Sequence, residues 1–320
     1  MSNTVLVTPR SFASTTDEPV RLLRGAGCEV VYLERPADGR LTEAFMGAAV
    51  RDIEAVVVGV EPLDAAAIAQ SARLRVISKY GVGMDHIDVE AARTHGVAVG
   101  WTPDANDNAV AELTLGLMFT LARRIPLAVN AVRGGRFPRL SGIELRGRTL
   151  GVIGLGRIGR RVARAASAIG MRVIACDPHL APGAWDGVES AEFETLLARS
   201  DVVSLHLPLT AESAGLIGEQ ALSQMKTGAL LINTARGGLV DEAALYRALK
   251  AGHLGGAAID CFAHEPPGAS PLLELDTLIA TPHMASHTAE AITAMSRMAA
   301  ENVVAGLRGE PLPYPYPDRA

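Results

Sequence analysis

The sequence predicts an α/β protein with two doubly wound parallel-sheet domains. Three observations carry this. Short β-branched runs alternate with helix-like segments over most of the chain, the rhythm of βαβ units. The rhythm is interrupted once, from about 103 to 148, so the units fall into two blocks. At the start of the second block a run, 149–153, leads into Gly154-x-Gly156-x-x-Gly159 and then a helical pattern.

The first block places strands at 5–8, 29–33, 55–60, 76–79 and 97–100. Helices fall near 17–26, 41–51, 64–71 and 88–95. Strands this apolar belong to a sheet covered on both faces. Residues 105–124 read as one long helix, ended by Pro126 and Gly134-Gly135, with a polar loop running to Arg148. The second block places strands at 149–153, 171–176, 201–206, 229–233, 256–260 and 277–280. Its helices fall near 157–169, 191–199, 219–225 and 241–251. A last helix covers 288–308, and the proline-rich tail 311–317 is expected to be extended.

Composition narrows the function. With 320 residues there is room for two domains. Charged residues make up 20% and hydrophobic residues 48%, which fits a folded chain. The net charge of −5 and the absence of a basic tract argue against a nucleic-acid partner. The N-terminus lacks a secretory pattern, and the most apolar stretch, 109–122, is short and carries Glu112, so no membrane span is expected. Cys28, Cys176 and Cys261 are far apart with no C-x-x-C, which suits reduced thiols in the cytoplasm.

The glycine turn has a physical reading. Gly154 permits the tight turn out of the strand, Gly156 lets a pyrophosphate approach the main chain, and Gly159 lets the helix pack on the sheet. Helix N–H groups then face the phosphates. Asp177 ends the next strand, 18 residues after Gly159, where a carboxylate bonds the ribose hydroxyls of NAD and repels a 2′-phosphate. Arg157 and His179 are near enough in sequence to offset that repulsion.

Reactive residues sit at the carboxyl ends of the second block's strands. Arg236, in I-N-T-A-R-G-G, offers a planar cation for a carboxylate and a carbonyl oxygen. Glu265 lies in D-C-F-A-H-E-P and His283 in A-T-P-H. A glutamate bonded to an imidazole raises its pKa and fixes its tautomer, so His283 is the candidate acid/base. His206 ends its strand beside the cofactor crevice. A metal on His264, His283 and His287 is weighed and set aside, because Pro282 to Ser286 follows a strand and spoils helical i, i+4 geometry.

Together these motifs resemble the D-isomer-specific 2-hydroxyacid dehydrogenase family. The matching stretches are G-L-G-R-I-G (154–159), D-P (177–178), H-L-P-L-T (206–210), I-N-T-A-R-G-G-L-V-D (232–241), D-x-x-x-x-E-P (260–266) and T-P-H (281–283). V-L-V-T-P-R-S-F (5–12) and I-S-K-Y-G-V-G-M-D-H-I-D (77–88) are similar to its phosphoglycerate dehydrogenase-like branch. The resemblance implies a Rossmann NAD-binding domain, 104–288, inserted into a flavodoxin-like substrate domain, 1–103 plus 289–320. Hinges would lie near 101–104 and 286–290. Helix 105–124 would lie at a homodimer interface.

The resemblance also implies roles. Arg236 orients substrate, His283 is the acid/base and Glu265 its partner. Backbone N–H groups around Val82 and Gly83, in the Gly81-Val82-Gly83 loop, would bind the substrate carboxylate, with Lys79 beside them as a cation for a distal phosphate or second carboxylate. Gly154, Gly156, Arg157, Ile158, Gly159, Asp177, His206, Leu207, Pro208, Thr234, Ala235, Asp260, His283 and Ala285 line the cofactor, with Asp260 bonding the nicotinamide carboxamide. The implied activity is reversible hydride transfer between NAD and C2 of a D-2-hydroxy acid. The substrate candidates are 3-phosphoglycerate, hydroxypyruvate and glyoxylate. A non-catalytic NAD sensor, as in corepressor relatives, is the competing class.

Two departures stand out. After T-P-H this chain has Met284-Ala285-Ser286-His287 where the family carries Ile followed by Gly, so Ala285 adds a methyl near the carboxamide. The chain stops at 320, which gives the expectation of a short form without a C-terminal regulatory domain.

Overall fold

A computed structural model describes residues 2–36, 41–179 and 187–317. The chain divides into two units, one of residues 1–106 with 287–320 and the other of 107–286. The sequence had put these divisions at 103/104 and 288/289.

Unit 1 holds β1 (Asn3–Val7), α1 (Glu18–Gly25), β2 (Cys28–Tyr32), α2 (Glu43–Val50), β3 (Ala55–Val58), α3 (Ala65–Ala69), β4 (Val76–Lys79), α4 (Val89–Thr94) and β5 (Ala98–Gly100). The strands pair in parallel in the order β2-β1-β3-β4-β5, the flavodoxin-like order. Helix starts follow from short polar side chains: Thr42, Asp64 and Asp88 each accept a hydrogen bond from the backbone N–H three residues on. Val56, Val58 and Ile77 anchor the core under α2 and α3. The last helix of the chain, Ala289–Arg308, packs in this unit against α1 and β4. The tail 311–317 forms no helix, and Pro315 bridges Gly100 antiparallel.

Unit 2 opens with α5 (Asp107–Ala122) and α6 (Ile125–Arg133), continues with β6 (Thr149–Ile153), α7 (Arg157–Ala168), β7 (Arg172–Cys176), β8 (Glu189–Ser190), α8 (Phe193–Arg199), β9 (Val202–Leu205) and α9 (Glu219–Gln224), and ends with β10 (Leu230–Asn233), α10 (Glu242–Lys250), β11 (Gly256–Ile259) and β12 (Leu278–Ala280). The helix Ala289–Arg308 is α11. Seven parallel strands run in the order β12-β11-β10-β9-β6-β7-β8. This is the Rossmann order with one strand added beyond the β11 edge. The order reverses between β6 and β9, so the crevice opens at their carboxyl ends.

Two sequence readings need correction. The long helix stops at Ala122 because Arg124 turns left-handed, with φ of 52°. Pro126 then sits in the first turn of a second helix, a position whose N–H needs no partner, rather than ending the first. The two-residue strand β8 also escaped notice, being too short to carry a pattern. Among the described residues no single helix is long and apolar enough to cross a membrane.

Candidate active site

The glycine turn joins β6 to α7, and each glycine answers a different constraint. Gly154 has φ of +90°, and a Cβ there would stand 2.4 Å from the His206 carbonyl oxygen on the neighbouring β9 loop. A Cβ on Gly159 would stand 2.1 Å from the Gly154 oxygen. Gly156 differs, because a Cβ there would meet nothing within 4 Å. It caps α7 without any side-chain hydrogen bond, so the first N–H groups of a 12-residue helix face that space. A pyrophosphate fits such a cradle on charge and room. Arg157 and Ile158 begin the helix there. Arg160, which the sequence reading passed over, braces the turn by donating from Nε to the Leu155 oxygen at 2.9 Å.

Asp177 follows β7. Its Oδ2 accepts from Leu155 N–H at 2.7 Å and its Oδ1 from His179 N–H at 3.0 Å. Two of roughly four lone-pair positions are thus used, leaving the carboxylate able to accept ribose hydroxyls. His206 follows β9, and its Nε2 is 2.8 Å from Ser204 Oγ. Burial pushes its imidazole down to about 4. Leu207 packs on the core while Pro208 is exposed, its carbonyl accepting from Ser213 Oγ.

Arg236 lies just beyond β10 on a loop held from beneath. Asn233 is fully buried, donates from Nδ2 to the Arg236 oxygen at 2.7 Å, and accepts from Ala235 N–H at 3.1 Å. Thr234 shares a 2.7 Å hydrogen bond with Thr114 of α5, both buried. A Cβ on Gly237 would fall 1.9 Å from the Phe262 carbonyl carbon, so only glycine lets the two loops approach this closely. The guanidinium of Arg236 donates to the Ala235 oxygen at 2.7 Å. Asn233 and Thr114 were missed in the sequence. A polar residue closing an apolar strand was the available signal for Asn233.

The loops after β11 and β12 carry the acid/base pair. His283 Nδ1–H donates to Glu265 Oε2 at 2.8 Å, and each side chain keeps 33% of its surface exposed. Glu265 is held in turn by Phe262 N–H, which donates to Oε1 at 2.9 Å. The Cys261 sulfur near the ring and the Glu265 carboxylate bonded to it push the His283 imidazole up to about 10 against the opposing effect of burial. His283 itself has φ of 51°, a left-handed conformation costing about 1 kcal/mol for a residue with a Cβ.

Asp260 holds that conformation in place. Its carbonyl accepts from His283 N–H at 2.8 Å. Its carboxylate accepts from Thr281 Oγ1 at 2.6 Å, Met284 N–H at 3.0 Å and Ala285 N–H at 2.9 Å. Asp260 is fully buried, so its visible task is to set the loop bearing His283. This modifies the expectation of a carboxamide contact. Ala285 is buried with its N–H taken by Asp260.

His264, His283 and His287 were weighed as a metal site and set aside. Those three do not converge. The potential ligand atoms that do, among the described residues, belong to Cys261, Glu265 and His283.

The remaining expected residues lie in unit 1, after β4. Gly81 has φ of +123°, accepts from Thr102 through its carbonyl, and donates its N–H to Thr102 Oγ1 at 2.8 Å. Val82 and Gly83 continue this half-buried loop. Lys79 is buried and its ammonium donates to the Gly59 oxygen. Beside it, buried Glu61 accepts from Thr8 Oγ1, from Gly59 N–H at 2.9 Å and from Arg35 at 2.7 Å.

The chain is similar to several known proteins. Residues 115–285 match the family model described as D-isomer specific 2-hydroxyacid dehydrogenase, NAD binding domain. A D-3-phosphoglycerate dehydrogenase of Methanocaldococcus jannaschii is 46% identical over 248 residues, covering 76% of this chain and 47% of that one. A glyoxylate reductase of Thermofilum pendens is 42% identical over 263 residues, covering 78% and 77%. The crystal structure of D-lactate dehydrogenase from Aquifex aeolicus, complexed with NAD and lactic acid, superposes with a TM-score of 0.83 at 31% identity and covers 96% of both chains. The chain spans about half the length of the phosphoglycerate dehydrogenases it matches. By the extent of these matches and the motifs that carry them, the chain belongs to the D-isomer-specific 2-hydroxyacid dehydrogenase family.

Proposed function

We propose that this protein is an NAD-dependent dehydrogenase acting at C2 of a D-2-hydroxy acid or the matching 2-oxo acid. The observation that carries this is the His283–Glu265 pair, at 2.8 Å, in the same unit as the Gly154–Gly159 turn and Asp177. NAD bound there would supply the ring that takes up, or in reduced form gives back, a hydride. Gly156 and the N-terminus of α7, with Arg157 and Ile158, hold its phosphates; Asp177 holds its ribose. His206, Leu207, Pro208, Thr234, Ala235 and Ala285 line it, and Asp260 offers it one remaining lone pair.

The protein's own residues handle the proton. In oxidation, neutral His283 takes the substrate hydroxyl proton at Nε2 while Glu265 keeps Nδ1–H in place. In reduction, protonated His283 gives that proton to the developing alkoxide. Arg236 orients the carboxylate and polarises the carbonyl. Val82 and Gly83 bind carboxylate through backbone N–H groups on the loop that Gly81 opens, its own N–H being bonded to Thr102, and Lys79 adds positive charge behind them.

A small unphosphorylated 2-oxo acid, such as glyoxylate or hydroxypyruvate, is favoured over 3-phosphoglycerate. Lys79 is already bonded to a backbone carbonyl, and Glu61, a buried carboxylate, is paired with Arg35 close by. A dianionic phosphate would have to draw the Lys79 ammonium away from that carbonyl. Reduction of a panel of 2-oxo acids, phosphohydroxypyruvate included, with NADH and NADPH in parallel, tests the reading. We expect higher kcat/KM for the small acids and for NADH. Binding of NADH with no turnover on any acid would favour the sensor.

We further propose a homodimer. Phe119, Ile125, Val129 and Val132, along α5 and α6, leave apolar surface exposed, with Val132 at 56%. A cytoplasmic location fits Cys28, Cys176 and Cys261, which form no disulfide.

A further inference from the structure

We infer that Cys261, Glu265 and His283 form a binding site for a thiophilic divalent cation, Zn²⁺ being the ion their donor set fits, and that occupation of this site switches the acid/base pair off. The second half of this inference rests on the proposed dehydrogenase reading. The first half rests on geometry alone.

One ligand atom from each of the three side chains lies within 4.8 Å of the other two. A thiolate, an imidazole and a carboxylate are the donors Zn²⁺ takes, and three protein ligands leave a fourth position for water. Tetrahedral Zn–S and Zn–N bonds put neighbouring ligand atoms about 3.5 Å apart, so adjustments of about 1 Å close the site. Glu265 and His283 are already 2.8 Å apart. The ligand carboxylate is pre-oriented by Phe262 N–H. An open pocket of about 370 Å³, lined by Phe262, Glu265, Thr281 and His283, gives an ion a route to two of the three ligands.

Binding is an exchange of protons for metal, with no change of oxidation state. The Cys261 S–H bond and one imidazolium N–H bond break, and two protons pass to solvent. Bonds then form from zinc to sulfur, to the imidazole nitrogen and to a Glu265 oxygen. If the nitrogen is Nδ1, the bond to Glu265 is lost; if it is Nε2, the proton-carrying atom itself is covered. Either way His283 can no longer exchange a proton with substrate.

The test uses the full chain and ZnCl₂ or CoCl₂ alone as probe. Wild-type turnover is expected to fall in micromolar Zn²⁺ and return with EDTA. The Co²⁺ form is expected to show near-ultraviolet thiolate-to-cobalt charge-transfer absorption. Cys261→Val, measured against its own metal-free rate, is expected to need about 100-fold or more Zn²⁺ for half inhibition, since a lost direct ligand costs at least as much as a lost outer-shell partner. Cys261→Ser, closer in volume, is expected to lose the absorption band too. Equal zinc sensitivity in wild type and Cys261→Val, or a Co²⁺ form without the thiolate band, overturns the site. If the metal-free protein reduces none of the 2-oxo acids, the dehydrogenase reading fails, while the cobalt band still decides the metal site.

Discussion

The two sheets end their strands in different ways. In unit 1, the polar groups after β1, β3 and β4 are bonded mostly to backbone or to each other: Lys79 to the Gly59 oxygen, Thr102 to Gly81, Glu61 to Thr8, Gly59 and Arg35. In unit 2, the loops after β11 and β12 leave an imidazole and a carboxylate paired and one-third exposed. Both are parallel sheets with crossover helices. The difference teaches that architecture supplies the rim, and loop residues decide whether the rim binds or moves protons. Under the proposed function unit 1 presents backbone dipoles and unit 2 titrates.

The comparison breaks most directly at His283. His283→Gln keeps a polar side chain but cannot exchange protons near neutral pH. Its kcat is expected to fall by about 10²–10⁴. The NADH dissociation constant, measured by fluorescence titration, should stay within a few-fold of wild type. Near-normal turnover would move the proton-transfer role elsewhere and leave the two units alike.

The glycine turn gives the next largest effect and separates ligand from packing. Gly159→Ala puts a methyl 2.1 Å from the Gly154 oxygen, so the helix must shift. A cost of about 1–3 kcal/mol is expected, read as a lower denaturation midpoint. Gly156→Ala meets nothing within 4 Å and should leave the midpoint unchanged. NADH affinity should drop instead, because the methyl occupies the space assigned to phosphate. Loss of stability without loss of affinity in Gly156→Ala would place the phosphates elsewhere.

Much of this was legible in the sequence, for identifiable reasons. Strands buried on both faces read as apolar runs, and helices showed as the polar-patterned segments between them. Glu265 and His283 were readable because charged residues after buried strands have few purely structural uses. What was not legible depends on distance across the fold. Asp260 bracing Met284 and Ala285, and Thr114 meeting Thr234, join residues 24 to 120 positions apart. Cys261 read only as a reduced thiol because only the folded loops bring it near His283. Arg124 gave no warning of its left-handed turn, since nothing in its type demands one.

The pairing of His283 with Glu265 carries a pH prediction. The raised imidazole stays protonated through neutral pH, so the reduction rate should hold until pH approaches about 10. The stability contributed by the charged pair follows the same sign: present in full below the ordinary histidine value of about 6.5, and lost as pH rises through about 10. Glu265→Gln removes the carboxylate, so the alkaline limb of kcat for reduction should move down, with kcat at pH 7 reduced about tenfold. An unmoved limb would assign the shift to Cys261 alone.

Thr102→Val sharpens the comparison from the binding side. Thr102 Oγ1 is the acceptor for the Gly81 N–H and also donates to the Gly81 oxygen, both bonds lying within unit 1. Valine keeps the branched shape and removes the oxygen, leaving a buried N–H unpaired. If this loop holds the substrate carboxylate as proposed, the loss of about 1–2 kcal/mol corresponds to a rise in KM of roughly five- to thirty-fold. Because carboxylate binding is the same in ground and transition states, kcat should stay near wild type. A fall in kcat with unchanged KM would mean that this loop acts on the reacting centre, and that unit 1 shares in the chemistry rather than only holding the acid.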